Sequence, residues 1–348
     1  MTTNEHGLGG RGKRASLAAL ALAGALLLAG CGASNTGTGA QPGNGTDGGG
    51  TQPTESAASA WAECSPGQHA EDASGLPEDG DTELTVGAFN GWDESFATAH
   101  LLKAVLEQNG YTVKVDAFEA APAFAGTARG DIDVITDVWM PVTHPQYIEQ
   151  FGDQLTHLGC WYDNAKLTIA VNDSSPARTI EDLATMSQDY GGKLFGIEAG
   201  AGLTKQTREK AIPEYGLDDY EFVVSSTPAM LAQVDRATKA NENVVVTLWR
   251  PHWAYSAYPM RDLEDPKGAM GGAEVVSSAG SQAFAESSPK AAQIVKNLVL
   301  TDDELAELEN FMMSPEHHGG NDHDAAVAQW LEQHPDFADR LVKGELGS

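Results

Sequence analysis

The sequence predicts an α/β protein built as two lobes with a ligand cleft between them. Three features predict it. From Thr82 to Trp139, strand and helix patterns alternate as β–α–β–α–β, the succession of an open, mostly parallel sheet. A second such series runs from Ala177 to Trp253. An extended stretch, "AKLTIAVND" (Ala165–Asp173), crosses from the first to the second.

In the first series, "TELTVGAF" (Thr82–Phe89) alternates as a strand does. The next stretch places Phe96, Leu102, Val105 and Leu106 on one helical face and stops at Gly110. "YTVKVDAF" is a second strand, the residues around "FAGTARGD" a short helix, and "IDVITDVW" a third strand. The second series reads "ARTIEDLATM" as helix, "GGKLFGIEAG" as strand and turn, and "LTKQTREKAIPEYG" as helix. "YEFVVSS", "PAMLAQVDRATKAN" and "NVVVTLWRPHW" continue it as strand, helix and strand. From about Pro289 the chain is mostly helical.

Before the folded part, "RGKR" (Arg11–Arg14) and the apolar "ASLAALALAGALLLAG" form the basic and hydrophobic regions of an export signal. The apolar run is short for a membrane span. Its end, "LLAGC" (Leu27–Cys31), resembles the lipobox of bacterial lipoproteins, which implies cleavage before Cys31 and lipid on its sulfur. An ordinary signal peptide is the competing reading. Residues 31–60 are rich in Gly, Thr, Ser and Pro, the composition of a flexible tether. The expected organisation is therefore signal peptide 1–30, anchor and linker 31–60, lobe 1 over 61–171 with a C-terminal part at about 260–348, and lobe 2 over 172–259.

The 348 residues carry 21 Lys+Arg against 50 Asp+Glu. So acidic a surface repels phosphate backbones, so no nucleic-acid partner is expected. Cys64 and Cys160 are the cysteines beyond Cys31. In an oxidising compartment they form one disulfide or remain two thiols, and the sequence leaves both open.

Trp92 follows the first strand, and Trp139 and Trp249 end later ones, all at the strand carboxyl ends where α/β proteins hold ligands. Several tryptophan faces together enclose a quaternary ammonium, each contact contributing roughly 0.5–2 kcal/mol, with no need for a buried carboxylate. Small residues in "LFGIEAGAGLTK" (Leu194–Lys205) place backbone N–H groups at a strand-to-helix turn, which suits an anion. His144, between Thr143 and Pro145, is positioned to donate to a carboxylate. Asp93 and Glu94 read as first-turn helix charges. "EHHGGNDHD" (Glu316–Asp324) has no defined ligand geometry, and no metal or cofactor is expected. No nucleophile elbow or HExxH pattern occurs, so no enzyme is expected.

"VGAFNGWDE", "DVWMPVTH", "WYDNAKL", "GGKLFGIEAGAG", "VVVTLWRPHWAY" and "LEDPKGAMG" resemble, in order from Thr82 to Phe311, the glycine betaine-binding proteins of osmoprotectant ABC importers. The resemblance implies a type II-like periplasmic-binding-protein fold that closes on its ligand. It implies a trimethylammonium prism of Trp92, Trp139 and Trp249, and carboxylate ligands at Gly196, Ile197 and His144. His252 and Trp253 would support the cleft. The expectation is a monomeric, lipid-anchored, extracytoplasmic carrier that serves a separate permease and ATPase. A choline or carnitine carrier is the alternative within this fold. A surface-anchored hydrolase using His144, or a signalling receptor domain, is the alternative outside it.

Overall fold

The computed structural model describes residues 57–347. The signal sequence, Cys31 and most of the linker lie outside the described residues. After α1 (Ala57–Ala62) the first series folds as β1 (Glu83–Phe89), α2 (Asp93–Gln108), β2 (Thr112–Phe118), α3 (Ala120–Arg129) and β3 (Val134–Met140). A short α4 (Pro145–Phe151) leads into β4 (Leu155–Asn172). The second series is β5 (Lys193–Gly196), α5 (Gly202–Gln206), α6 (Ile212–Tyr215), β6 (Glu221–Val224), α7 (Thr227–Ala240) and β7 (Val245–Arg250). After α8 (Ala254–Ala257), β8 (Met260–Asp262) and β9 (Glu274–Ser281) come α9 (Gln282–Ser287), α10 (Pro289–Lys296), α11 (Asp302–Met313), α12 (His323–Gln333) and α13 (Phe337–Lys343).

The strands lie in the order β2-β1-β3-β9-β4-β7-β5-β6, with β8 on β4. β1 runs parallel to β2 and β3, and β5 parallel to β6 and β7, each pair linked through helices as parallel strands require. The sheet is less parallel than its sequence predicts. β9 is antiparallel to both β3 and β4, and β4 is antiparallel to β7 and β8. β9 is absent from the sequence reading because "AEVVSSAGS" is short, rich in small residues and preceded by glycine turns. The "AKLTIAVND" segment is the last part of an 18-residue strand whose first part, from Leu155, pairs with β9. Past Ala165 the strand pairs with β7 and β8 instead, so β4 joins two sheet halves.

"ARTIEDLATM" is a further correction, because it forms a 3₁₀ turn, Glu181–Thr185, followed by another at Ser187–Tyr190, rather than a helix. Asp182 accepts the backbone N–H groups of Arg178 and Thr179, a local bond that competes with helical propagation. Helices with a capping signal start where it lies. Ser226 accepts from Ala229 at the head of α7, and Thr301 and Glu304 form a capping box on α11.

On α2, Leu102, Val105 and Leu106 are fully buried, and α11 and α12 pack on the same helix. The chain before β1 is tied to the C-terminal helices. Asp79 accepts the backbone N–H groups of Lys290 and Ala291, and Asn297 bonds both the N–H and the carbonyl of Glu71. Cys64 and Cys160 are joined in a disulfide across 96 residues of sequence. Closing so long a loop restricts the unfolded chain, so replacing both cysteines with serine is expected to lower unfolding free energy by about 2–5 kcal/mol. Denaturant titration of the two proteins measures the difference.

Candidate functional site

β1, β3, β5 and β7 turn their carboxyl ends toward one cavity. Its wall is Trp92, Glu94, Trp139, Thr143, Leu167, Ile197, Leu203 and Trp249. It encloses about 250 Å³ of atom-free space, part of it open to solvent. Trp92 is the N-cap of α2, Trp139 lies next to the end of β3, and Trp249 next to the end of β7. They are 7, 2 and 3% exposed, so solvent reaches almost none of their surface.

Two of the three indoles are held by acidic side chains. Trp139 Nε1 donates to Asp137 Oδ1 at 2.6 Å, and Trp249 Nε1 donates to Glu94 Oε2 at 3.0 Å. The second bond reaches from α2 in one sheet half to β7 in the other. An aromatic N–H normally finds a partner when buried, and here the partner also fixes the ring plane.

Trp139 and His144 hold each other through a tight turn. The Trp139 N–H donates to His144 Nδ1 at 3.0 Å, and the His144 N–H donates to the Trp139 carbonyl at 3.0 Å. Burial drives the His144 pKa down to about 3, so the ring is neutral. With Nδ1 accepting, its proton sits on Nε2, and that buried atom has no protein partner. The ring stacks on Trp92 at 5.5 Å and 9°. Glu274 fastens the same turn from β9. Its Oε2 accepts the Val142 and Thr143 N–H groups at 2.7 and 2.9 Å, and its Oε1 accepts the Thr143 hydroxyl at 2.6 Å.

The sequence profile described as the substrate binding domain of ABC-type glycine betaine transport systems, OpuAC, matches residues 82–333. The chain belongs to this family. Residues 82–333 are thus a substrate-binding domain of the kind that serves ABC transport. The glycine betaine/carnitine transport binding protein GbuC of Listeria monocytogenes is 34% identical over 153 residues, which is 43% of this chain and 49% of that protein. The match thus spans about half of that relative's length. The crystal structure of lactococcal OpuAC, closed and complexed with glycine betaine, superposes with a TM-score of 0.69 at 26% identity, covering 76% of this chain and all of that one. The glycine/betaine/L-proline-binding protein ProX of Borrelia burgdorferi follows with 0.67 at 28% identity, covering 74% and 95%.

Of the residues singled out in the sequence of this binding protein, Trp92, Trp139, Trp249 and Ile197 form the cavity wall. His144 lies behind Trp92 rather than in the wall. Gly196 also sits one layer back. A Cβ there would stand 2.5 Å from the Phe222 ring, and its carbonyl accepts from Ser225. His252 repeats part of the His144 arrangement in the other half. Its Nδ1 accepts from the Ala254 N–H, and its ring meets the edge of Trp249 at 4.5 Å.

Glu94 corrects the sequence reading. It is a first-turn acid of α2, but it is buried and lines the cavity, so a carboxyl group stands in the wall beside the tryptophans. Nothing in "GWDES" separates a wall residue from a surface helix charge. Asp93, Asp137 and Glu309 are buried nearby. Burial raises Asp93 and Asp137 to about 7, the hydrogen bonds from Trp253 and Trp139 opposing it. Glu94 and Glu309 are raised well above the carboxylate range, first by burial and then by their acidic neighbours.

These shifts set the pH dependence of stability. The carboxyls bind protons more tightly folded than unfolded, so they reduce stability as pH rises from about 4 through about 7 and beyond. His144 and His252, both lowered to about 3, act oppositely, but only below about pH 6.5. Above that pH the carboxyls act alone. The melting temperature of the ligand-free protein is therefore expected to fall between pH 6.5 and 8.5, and less steeply in Asp137→Asn. Scanning calorimetry across that window decides it.

Proposed function

We propose that this protein captures glycine betaine outside the cytoplasmic membrane and delivers it to the permease and ATPase of an importer. The observation that carries the proposal is one small cavity walled by three tryptophans drawn from both sheet halves. A trimethylammonium group offers no hydrogen-bond donor, so aromatic faces are the groups that hold it selectively. Trp92, Trp139 and Trp249 surround the cation. The backbone N–H groups of Gly196 and Ile197 and the Nε2–H of His144 receive the carboxylate once the entering ligand parts the wall in front of Gly196 and His144. His144 suits this because its ring is neutral and its free nitrogen is a donor lacking a protein acceptor. The lactococcal relative is described in complex with glycine betaine.

In this reading residues 61–171 with about 260–348 form one lobe and 172–259 the other. The ligand bridges them and favours closure, a hinge motion open to such folds. Cys31 carries the lipid that keeps the monomeric carrier at the membrane, at the end of the 31–60 tether. Among the described residues no helix is long and apolar enough to cross a membrane.

Glu94 in the wall favours a second reading, choline, whose uncompensated positive charge would favour loss of the Glu94 proton and gain more from the resulting carboxylate than a zwitterion does. Calorimetric titration with glycine betaine, choline, carnitine and proline betaine separates the two. Glycine betaine is expected to bind most tightly, and Trp139→Ala to weaken it roughly 10- to 100-fold as packing and cation–π contact are lost together. His144→Ala is expected to weaken betaine more than choline, because it removes a carboxylate donor as well as a support of Trp92 and Trp139. No heat with any of the four ligands, from folded protein, refutes the proposal.

A further inference from the structure

The turn read in the sequence as an anion cradle contains a contact that the binding chemistry does not use. A Cβ built on Gly202 would stand 2.1 Å from the Thr143 carbonyl oxygen, 2.8 Å from its carbonyl carbon and 2.7 Å from its Cγ2. Gly202 opens α5 without a left-handed backbone, so conformational freedom does not explain the glycine. Gly200, two residues earlier, has nothing within 4 Å of such an atom. In this turn the demand for a missing side chain against the opposite half is local to position 202, since at Gly196 the crowding atom is the Phe222 ring of the same half.

The two partners belong to different sheet halves. Thr143 follows β3, and Gly202 follows β5. Neither yields easily. Glu274 holds the Thr143 N–H and hydroxyl along with the Val142 N–H, and the atom that a methyl would strike first is a backbone carbonyl. Beside this contact Tyr147 donates to the Gly200 carbonyl at 3.2 Å, again from one half to the other. Thr143 and Leu203, the next residue after Gly202, both line the cavity. How closely the two backbones approach therefore decides whether Trp92 and Trp139 meet Trp249 and Ile197 around one space.

We propose that Gly202 is the positioning residue that sets how far the cleft closes: it is the point where backbone meets backbone, and only the absence of a side chain lets the cage complete itself. The inference rests on the reading of the cavity as a betaine site that closes on its ligand. Gly202 does not hold the ligand. It fixes the depth at which the two walls stop.

The test compares Gly202→Ala and Gly200→Ala with the wild-type sequence in the full chain. Affinity is read by calorimetric titration with glycine betaine. Closure is read by the distance between spin labels on Glu149→Cys, in α4, and Glu209→Cys, in the helical turn after α5, with and without betaine. Gly200→Ala is expected to bind and close as wild type does. Gly202→Ala is expected to keep the ligand-free melting temperature, to bind roughly 10- to 100-fold more weakly, and not to shorten the label distance, as overpacking of a tight contact requires. Normal affinity and normal shortening in Gly202→Ala overturn the proposal. Should that variant fail to fold, the labelled wild-type sequence decides it, since a distance that bound betaine leaves unchanged also overturns it. A wild-type chain that binds no betaine at all instead overturns the function on which the inference rests.

Discussion

The reciprocal pairing of Trp139 and His144 is the interaction on which the rest of the cleft depends. One bond runs from the tryptophan backbone to the imidazole and the other from the histidine backbone to the tryptophan carbonyl. Together they shape the chain after β3, set the tautomer of the ring and leave its far nitrogen as a donor. They also place Thr143, whose hydroxyl and N–H go to Glu274 and whose carbonyl faces Gly202. A change in this turn would therefore shift an aromatic wall, a polar contact and an inter-half contact at once.

The second constraint is electrostatic. Glu94 in the aromatic wall and Asp137, Asp93 and Glu309 near it are buried, which favours their protonated forms, and repulsion from acidic neighbours adds to this at Glu94 and Glu309. Such a group is costly to keep in a core, and its use here is visible in two places: Asp137 and Glu94 accept the indole N–H groups of Trp139 and Trp249. An indole whose N–H is bonded to a carboxyl oxygen is held in plane and polarised toward a more negative face. Under the proposed function, the arrangement gives up stability in the empty protein to prepare a surface that suits a cation.

Much of the architecture was legible in the sequence because its signals are local. Alternation exposed β1, β2 and β3, helical spacing exposed α2, and the strand-end positions of Trp92, Trp139 and Trp249 pointed to one edge of the sheet. The failures lie where distant pairing decides. β9 has weak intrinsic strand character and exists because β3 and β4 flank it. The Glu181–Thr185 turn is governed by the Asp182 side chain rather than by periodicity. Glu94 was misjudged because its burial comes from Trp249, 155 residues away in sequence. The hidden roles of Gly202 and Glu274 are of the same kind, since each depends on what the opposite segment brings to it.

The long strand β4 carries a consequence of its own. It hydrogen-bonds β9 through its first part and β7 and β8 through its last, and its pairing with β9 shifts register between Tyr162 and Ala165, just before it changes partners. Because one unbroken backbone belongs to both hydrogen-bonded ladders, neither half can melt without stripping partners from the strand that serves the other. The irregular step supplies local slack without severing that link. The protein can thus be two bodies mechanically and a single cooperative unit thermodynamically.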